Sequence, residues 1–297
     1  MEPNPFLNRL GFAPDDRVVI LHTDDIGMCQ ASVAAFADLH RAGIISSGSV
    51  MVPCPWFLQA ALFARHHPDA DLGVHLTLTS EWPTYRWGPI STRDQDTGLL
   101  DDEGYFPHHS HQVQDSGVPV HVQIELEAQI KAALQAGMQP THIDTHMGSV
   151  THVKFMGIYI ALAWSYHLPP MAPRLDEAGF MAMGMDQEAA AMARWTVQEQ
   201  ESLGLPLIDC IVGMPLDTPE NRLERTRQAL ADLKPGITHF VIHPSVDTPE
   251  LRAITPDWAC RVADYRDFML EELRTAIRDL GIQVIGYRRL QEVMPRM

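Results

Sequence analysis

Residues 18–27 read VVILHTDDIG, and they place two adjacent aspartates, Asp24 and Asp25, where an apolar run ends in a glycine. The β-branched and leucine residues predict a buried strand, and the glycine predicts a turn directly after it. Adjacent carboxylates repel each other and lose hydration on burial, so a fold gains little from placing them there. The pair is explained if both aspartates bind a metal, or if one is a metal ligand and the other a general base. The alternative is a turn followed by a helix N-cap, which the aspartates taken alone favour.

Short β-rich runs alternate with longer amphipathic segments along the rest of the chain. Repeated βα units predict a parallel sheet, and seven or eight of them favour a barrel, with an open doubly wound sheet as the alternative. No GxGxxG motif follows the first strand, which removes the usual dinucleotide-binding site. The predicted strands are 17–22, 47–52, 71–78, 141–146, 207–213, 237–243 and 282–287, with a weak one at 171–175. The predicted helices are 29–42, 55–66, 120–137, 152–167, 186–203, 219–233 and 257–280.

We therefore predict a single-domain α/β protein over residues 1–297, with a (β/α) barrel-like fold that is an incomplete or distorted TIM-type barrel. Residues 80–118 interrupt the alternation, because they are rich in Pro, Gly, Asp, His and aromatic residues and have no periodicity. A long insertion after a barrel strand is usually functional. Its Trp82 and Trp87 are candidates to stack on a sugar ring, although aromatic residues more commonly pack such a loop onto the barrel.

The charge balance argues against two classes of partner. The net charge is −16, from 38 acidic and 22 basic residues, and no Lys/Arg cluster offers the basic surface that nucleic acid or an anionic membrane requires. The 4 cysteines are scattered without a CxxC pair, which predicts reduced thiols in the cytoplasm. The N-terminus lacks a signal-peptide pattern, and no apolar run is long enough to span a bilayer. The sequence leaves the oligomeric state open, including a homodimer.

Residues 141–146, THIDTH, carry the strongest signal on a single predicted strand. Side chains alternate along a strand, so His142, Asp144 and His146 should face the same way. Three ionisable side chains on one face are costly in a core. At the inner rim of a barrel they can instead meet a metal or one another.

Histidines also occur in two other predicted strands. A lone histidine such as His75, within GVHLTLT at 73–79, is more often a hydrogen-bonded core residue than a ligand. His243 ends an apolar strand and is followed by a proline, so it is either a turn residue or a proton donor at the rim. His239 lies deeper in the same strand, and we interpret it as structural. One carboxylate and two imidazoles from separate strand ends, namely Asp25, His75 and His146, form a familiar catalytic metal set with positions left for water.

Four motifs in order, TDDIG at 23–27, GIISSGS at 43–49, GVHLTLT at 73–79 and PTHIDTH at 140–146, resemble the YdjC-like (ChbG) carbohydrate deacetylases. The likeness continues to the histidine–proline pair at 243–244 and to GYRRL at 286–290, so it covers nearly the whole chain. It implies a barrel-like α/β domain akin to the NodB-type polysaccharide deacetylases. It also implies hydrolysis of acetamido groups of amino sugars with one divalent metal ion, zinc or magnesium.

Carried over to this sequence, the resemblance makes Asp25, His75 and His146 the metal ligands. By analogy with the wider deacetylase group, Asp24 becomes the general base and His243 the general acid. The family often has Asn-Ala at positions 22–23 and further histidines at 147–149, where this chain has His-Thr and Met-Gly-Ser. These differences concern substrate contacts more than the type of reaction.

The sequence thus predicts a hydrolase of carbon–nitrogen bonds other than peptide bonds, which removes an acetyl group from an N-acetylated amino sugar or short oligosaccharide. Candidate substrate-binding residues are Arg174, Trp82, Trp87 and Asp144, and Arg174 could instead orient Asp24 or lie on the surface. One alternative is a metal-independent glycoside hydrolase that uses Asp24 and Asp144 as paired carboxylates. The other is a sugar- or metal-binding protein without turnover.

Overall fold

The structure is a computed structural model that describes residues 2–182 and 184–296. Seven strands in these residues pair in parallel to form one sheet, in which β7 joins β1 and the remaining order is β4-β3-β2-β1-β6-β5. The strands are β1 Arg17–Ile26, β2 Ser47–Val50, β3 Leu72–Leu76, β4 Ile143–Thr145, β5 Cys210–Gly213, β6 Gly236–Ile242 and β7 Gln283–Val284.

Residues 169–174 span the gap between β4 and β5 and curl the sheet into a distorted barrel. On one side the Met171 N–H donates to the Ile143 carbonyl at 2.9 Å, and on the other the Arg174 N–H donates to the Ile208 carbonyl at 2.8 Å. The predicted weak strand at 171–175 therefore exists only as isolated bridges. Prolines at 169, 170 and 173 explain this, because they lack the N–H that a continuous ladder requires. The prediction of a distorted α/β barrel is confirmed.

Thirteen α-helices occur in the described residues, and the six longer predicted helices before residue 257 are all present within a few residues of their predicted ends. The predicted helix at 257–280 is two helices, because Leu270 has an extended backbone with φ −78° and ψ 132°. Five short helices were not predicted, since one or two turns are too short for a detectable periodicity. The helices are α1 Pro5–Leu10, α2 Gln30–Ala42, α3 Phe57–His66, α4 Ser110–Ser116, α5 Pro119–Gln135, α6 Val153–Tyr166, α7 Glu177–Ala182, α8 Gln187–Ser202, α9 Arg222–Ala231, α10 Pro249–Ile254, α11 Trp258–Phe268, α12 Glu271–Asp279 and α13 Tyr287–Val293.

The insertion at 80–118 packs onto the barrel. Its Trp87, Leu99 and Phe106 belong to the same buried apolar cluster as the residues of the central strands. The backbone N–H of Phe106 donates to the Trp87 carbonyl at 3.1 Å, which ties two parts of the insertion together. The insertion is therefore an ordered cover over one side of the barrel.

Two further expectations concern the cysteines and the absence of a membrane-spanning segment. The four cysteines are free thiols, and three of them are buried while Cys210 is exposed. Within the part of the chain that the structure describes, every helix is too short or too polar to cross a membrane.

Candidate metal centre and catalytic site

A bulge at the end of β1 directs both adjacent aspartates into one cavity. The pairing of β1 with β2 shifts register between Thr23 and Ile26, and Asp25 has a left-handed backbone with φ 61°. Neighbouring residues of a regular strand point to opposite faces, and such a bulge can re-aim one of them. Aspartate tolerates this conformation better than most residues, and strain of this kind is often found at functional sites. Asp24 and Asp25 accordingly both line the same cavity.

Asp25, His75 and His146 converge at the carboxyl ends of β1, β3 and β4. The Oδ1 atom of Asp25 lies 3.5 Å from Nε2 of His75 and 3.2 Å from Nδ1 of His146. One ligand atom from each residue lies within 4.8 Å of the others. Oδ1 is buried and accepts no hydrogen bond from the described residues, whereas Oδ2 accepts one from Arg261 at 2.6 Å. A buried carboxylate oxygen without a donor, facing two imidazole nitrogens, fits a divalent metal ion.

Each of the two imidazoles is held by a second carboxylate on its outer side. Nδ1 of His75 donates to Oδ1 of Asp144 at 2.8 Å, and Ser49 lies at 3.0 Å from the same nitrogen. Nε2 of His146 lies 3.1 Å from a carboxylate oxygen of Glu81. Carboxylates in this position commonly fix the ring orientation and the tautomer of a metal-binding histidine. The nitrogens left facing Asp25 are therefore the two that could bind a metal.

The charges of these groups depend on one another. Burial raises the pKa of Asp25, but Arg261 and then the two imidazoles outweigh burial and hold this pKa well below its usual range. Burial lowers the pKa of His146, but Glu81 and Asp25 outweigh burial and raise it to about 9. Burial likewise opposes the charged form of His75, and its carboxylate neighbours raise its pKa well above the usual value. Without a metal, the centre is a cluster of anionic carboxylates that stabilise protonated imidazoles.

Asp24 lies between this centre and His243. Its Oδ1 atom accepts a hydrogen bond from Nδ1 of His22 at 2.9 Å. Its Oδ2 atom lies 3.8 Å from Nε2 of His75 and 3.8 Å from Nε2 of His243. Burial raises the pKa of Asp24, but His75 and His22 outweigh burial, so the net shift is downward. The carboxylate is therefore ionised and has one oxygen directed to the cavity.

A buried group of imidazole and aromatic rings packs around His22, the residue that donates a hydrogen bond to Asp24. Nε2 of His22 lies 3.0 Å from Nε2 of His142, and the His142 ring stacks on Tyr287 with centroids 4.0 Å apart. The Tyr287 hydroxyl is hydrogen-bonded to Nδ1 of His239 at 2.9 Å. Burial and the neighbouring His22 lower the pKa of His239 to about 3, so this ring is neutral. His142 packs so closely that a side chain at Gly73 would overlap its ring.

A model of the YdjC-like protein family matches residues 18–279. The chain belongs to the YdjC-like family. It is 35% identical over 273 residues to a carbohydrate deacetylase of Thermus thermophilus. This alignment covers 92% of this chain and 94% of that relative. It is 25% identical over 272 residues to a carbohydrate deacetylase of Thermoanaerobacter pseudethanolicus. This alignment covers 91% of this chain and 98% of that relative.

A crystal structure from Enterococcus faecalis has the same fold as this YdjC-like protein. The two superpose with a TM-score of 0.75 at 24% identity, over 93% of this chain and 99% of the other. The likeness supports the distorted barrel that the sheet topology describes.

The other predicted site residues of this YdjC-like protein lie in different places. Trp82 lines the cavity beside the aspartates. Trp87 is buried beneath the cavity wall, where its indole N–H donates to the Thr79 carbonyl at 2.7 Å. Asp144 is buried and holds His75. Arg174 forms ion pairs with Asp209, at 2.7 Å, and with Glu201, so the structure does not bring it to Asp24.

Sequence reasoning missed two charged residues of the YdjC-like site, Glu81 and Arg261. Glu81 lies in the irregular insertion, where no periodicity marks individual residues. Arg261 lies on α11, 236 positions after the Asp25 that it contacts. Its charge is unremarkable in an amphipathic helix, and only its complete burial beside two carboxylates distinguishes it.

Proposed function

We propose that this protein is a metal-dependent hydrolase that removes an acetyl group from an N-acetylated amino sugar or a short oligosaccharide. The observation that carries the proposal is the buried Oδ1 of Asp25, which accepts no hydrogen bond in the described residues and faces His75 and His146, with Asp24 and His243 on the same cavity. The relatives named carbohydrate deacetylases support this substrate class.

One divalent metal ion, zinc or magnesium, would be held by Asp25, His75 and His146. Two imidazoles and one carboxylate favour zinc, whereas magnesium is usually bound by oxygen ligands. When bound, the ion would polarise the amide carbonyl and lower the pKa of the attacking water. Arg261 keeps Asp25 ionised and occupies its second oxygen, which leaves Oδ1 for the metal.

Asp24 would act as the general base. Its Oδ2 atom faces the cavity between His75 and His243, while His22 holds the other oxygen and so fixes the plane of the carboxylate. Because its pKa is lowered, Asp24 is ionised near neutral pH and can accept a proton from water.

His243 would act as the general acid. Its Nε2 atom lies 3.8 Å from Oδ2 of Asp24, and its backbone N–H donates to Asp264 at 3.0 Å. A protonated imidazole there can donate to the departing nitrogen, which would otherwise leave as an unstable amide anion. Trp82 would provide an apolar wall beside the reacting amide.

The glycoside hydrolase alternative requires Asp24 and Asp144 on either side of a sugar. Asp144 is buried, its Oδ1 atom accepts a hydrogen bond from His75, and it is not among the described residues that line the cavity. Two carboxylates in such an enzyme must both reach the scissile bond. The geometry therefore favours deacetylation.

Acetate release from acetylated mono- and disaccharides tests the proposal, with protein stripped by a chelator and then reloaded with zinc or magnesium. Activity should disappear on chelation and return with one equivalent of metal. Cleavage of a glycosidic bond that is insensitive to the chelator would instead identify a glycoside hydrolase. Stoichiometric metal binding without any acetate release would identify a binding protein.

A further inference from the structure

The cavity that contains the catalytic residues has a volume of about 480 Å³, which is within the range of small-molecule sites and far larger than an acetyl group requires. Its polar side chains gather at the metal centre. The remainder is an apolar wall formed by residues that follow β4, by Met171, Pro173, Phe180 and Met185, and by residues of β5 and β6. Its main members are Met156, Met171, Phe180, Ile211, Leu216 and Val241.

The polar groups of the cavity leave few hydrogen bonds for a buried sugar ring. Arg261 is already bound to Asp25 and Asp257, Glu81 lies against His146, and Nδ1 of His239 is hydrogen-bonded to the Tyr287 hydroxyl. Sugar hydroxyls placed against the apolar wall would lose their hydration without gaining partners. The wall therefore favours an apolar part of the substrate.

The positions of the catalytic residues indicate which part of the substrate that is. Asp24 and His243 retain 16% and 20% side-chain exposure, whereas the three proposed metal ligands are only 1–3% exposed. His243 would protonate the nitrogen, so the amine and its sugar ring lie toward the solvent. The carbonyl would then lie at the buried metal ligands, and a chain attached to the acyl carbon can extend along the apolar wall, which includes both the buried Phe180 and the exposed Ile211.

We propose that the apolar end of this cavity binds the acyl chain of the substrate, so that the preferred substrates are amino sugars with N-acyl chains longer than acetyl. This inference rests on the proposed amide hydrolysis. The reaction itself is unchanged: the oxygen of water bonds to the acyl carbon, the carbon–nitrogen bond breaks, and the nitrogen takes a proton. The products are the free amino sugar and a carboxylate, and water is the only co-reactant.

The test uses the metal-loaded enzyme and a series of glucosamine amides with acetyl, butyryl, hexanoyl and octanoyl groups, with release of the free amine as the readout. Burial of each added methylene should raise kcat/KM by about fourfold until the wall is covered. Most of the gain should appear as a lower KM. Cleavage of the acetyl compound with no gain for longer chains would overturn this inference and leave the proposed function standing. If none of the amides is cleaved, the proposed function fails and this inference fails with it.

A second arm separates the acyl chain from an apolar group on the other side of the sugar. N-acetylglucosamine carrying an octyl group on its anomeric oxygen should gain much less than N-octanoylglucosamine. An equal gain would mean that the wall binds the aglycone, which would overturn the inference.

Substitution of Ile211 by Trp should shorten the preferred chain, because the larger ring fills the wall at a residue that is 38% exposed and so tolerates enlargement. The octanoyl compound should lose at least about tenfold in kcat/KM. The matched control is Ile124→Trp, at a residue of α5 that is 47% exposed and lies outside the cavity. The control should retain the chain-length dependence, and thermal melting reports whether both variants fold. An Ile211→Trp enzyme that folds and keeps the wild-type chain-length preference would contradict the inference. If the variant does not fold, the wild-type series of amides still tests the inference.

Discussion

At the scale of single residues, the adjacent Asp24 and Asp25 are chemically identical but have different partners. Asp25 contacts Arg261 and two proposed ligands, whereas Asp24 is held by His22 and faces His243. We expect Asp25→Ala to lose metal. Asp24→Asn should retain metal and lose turnover by about 10²–10⁴-fold, since only the base is removed. Metal content by atomic spectroscopy and steady-state kinetics check both, and a nearly fully active Asp24→Asn enzyme would rule out this role.

Asp144 permits a second prediction at this scale. Its carboxylate accepts the proton of Nδ1 of His75 and so keeps Nε2 directed at Asp25. We expect Asp144→Asn to weaken metal binding by about 10–100-fold, as is typical for the outer partner of a ligating histidine. Competition with a chromophoric chelator measures the affinity. A matched change at the surface, Asp279→Asn, should leave it unaltered, and an equally small effect of both changes would contradict the role of Asp144.

At the scale of elements, the insertion at 80–118 contributes residues with different functions. Trp87 is buried with its N–H bonded to Thr79, whereas Trp82 lines the cavity. Trp87→Ala should destabilise the fold by about 3–5 kcal/mol, because it leaves a large void in the core. Trp82→Ala should mainly raise KM, because its indole forms part of the wall beside the substrate. Thermal unfolding and kinetics of both variants separate the effects, and unchanged kinetics for Trp82→Ala would mean that both tryptophans only hold the insertion in place.

The arrangement of elements explains why the insertion matters to the site. It begins directly after the segment that carries His75, and its first residues bring Glu81 to His146. Tyr85 fixes the following turn, because its hydroxyl donates to the Met28 carbonyl at 2.6 Å. The insertion therefore orients a proposed ligand that directly follows a different strand, β4.

At the scale of the whole molecule, the parallel sheet brings the carboxyl ends of β1, β3, β4 and β6 to one rim, where barrel enzymes usually have their active sites. The pKa of His146, raised to about 9, is a consequence of this assembly, because Glu81 and Asp25 come from different segments. A metal binds only neutral imidazole, so binding near pH 7 must displace this proton. The metal affinity should therefore rise with pH. The proton of His146 contributes about tenfold per pH unit below its pKa, and this contribution levels off above that pKa. Calorimetry in buffers of different ionisation enthalpy measures the proton release, and metal binding without proton release at pH 7 would contradict it.

The repeated βα pattern and the turn residues were sufficient to predict the barrel, because periodicity and glycine or proline boundaries are local properties of the chain. The same holds for the candidate residues at the strand ends, since strand alternation and parallel pairing bring such residues to one rim. The break at Leu270 and the missing strand at 171–175 depend on local backbone details that a periodic pattern does not contain.

The tertiary structure alone decided which charges meet. Arg261 reaches Asp25 across 236 positions of sequence, Arg174 is bound by Asp209 and Glu201, and the left-handed backbone of Asp25 places its carboxylate beside that of Asp24. The sequence by itself determined the fold class, the family resemblance and the chemical types at the rim, because these follow from residue identity and short-range spacing. Ion pairing and burial depend instead on distances between segments remote in the chain, and those distances exist only once the barrel has folded.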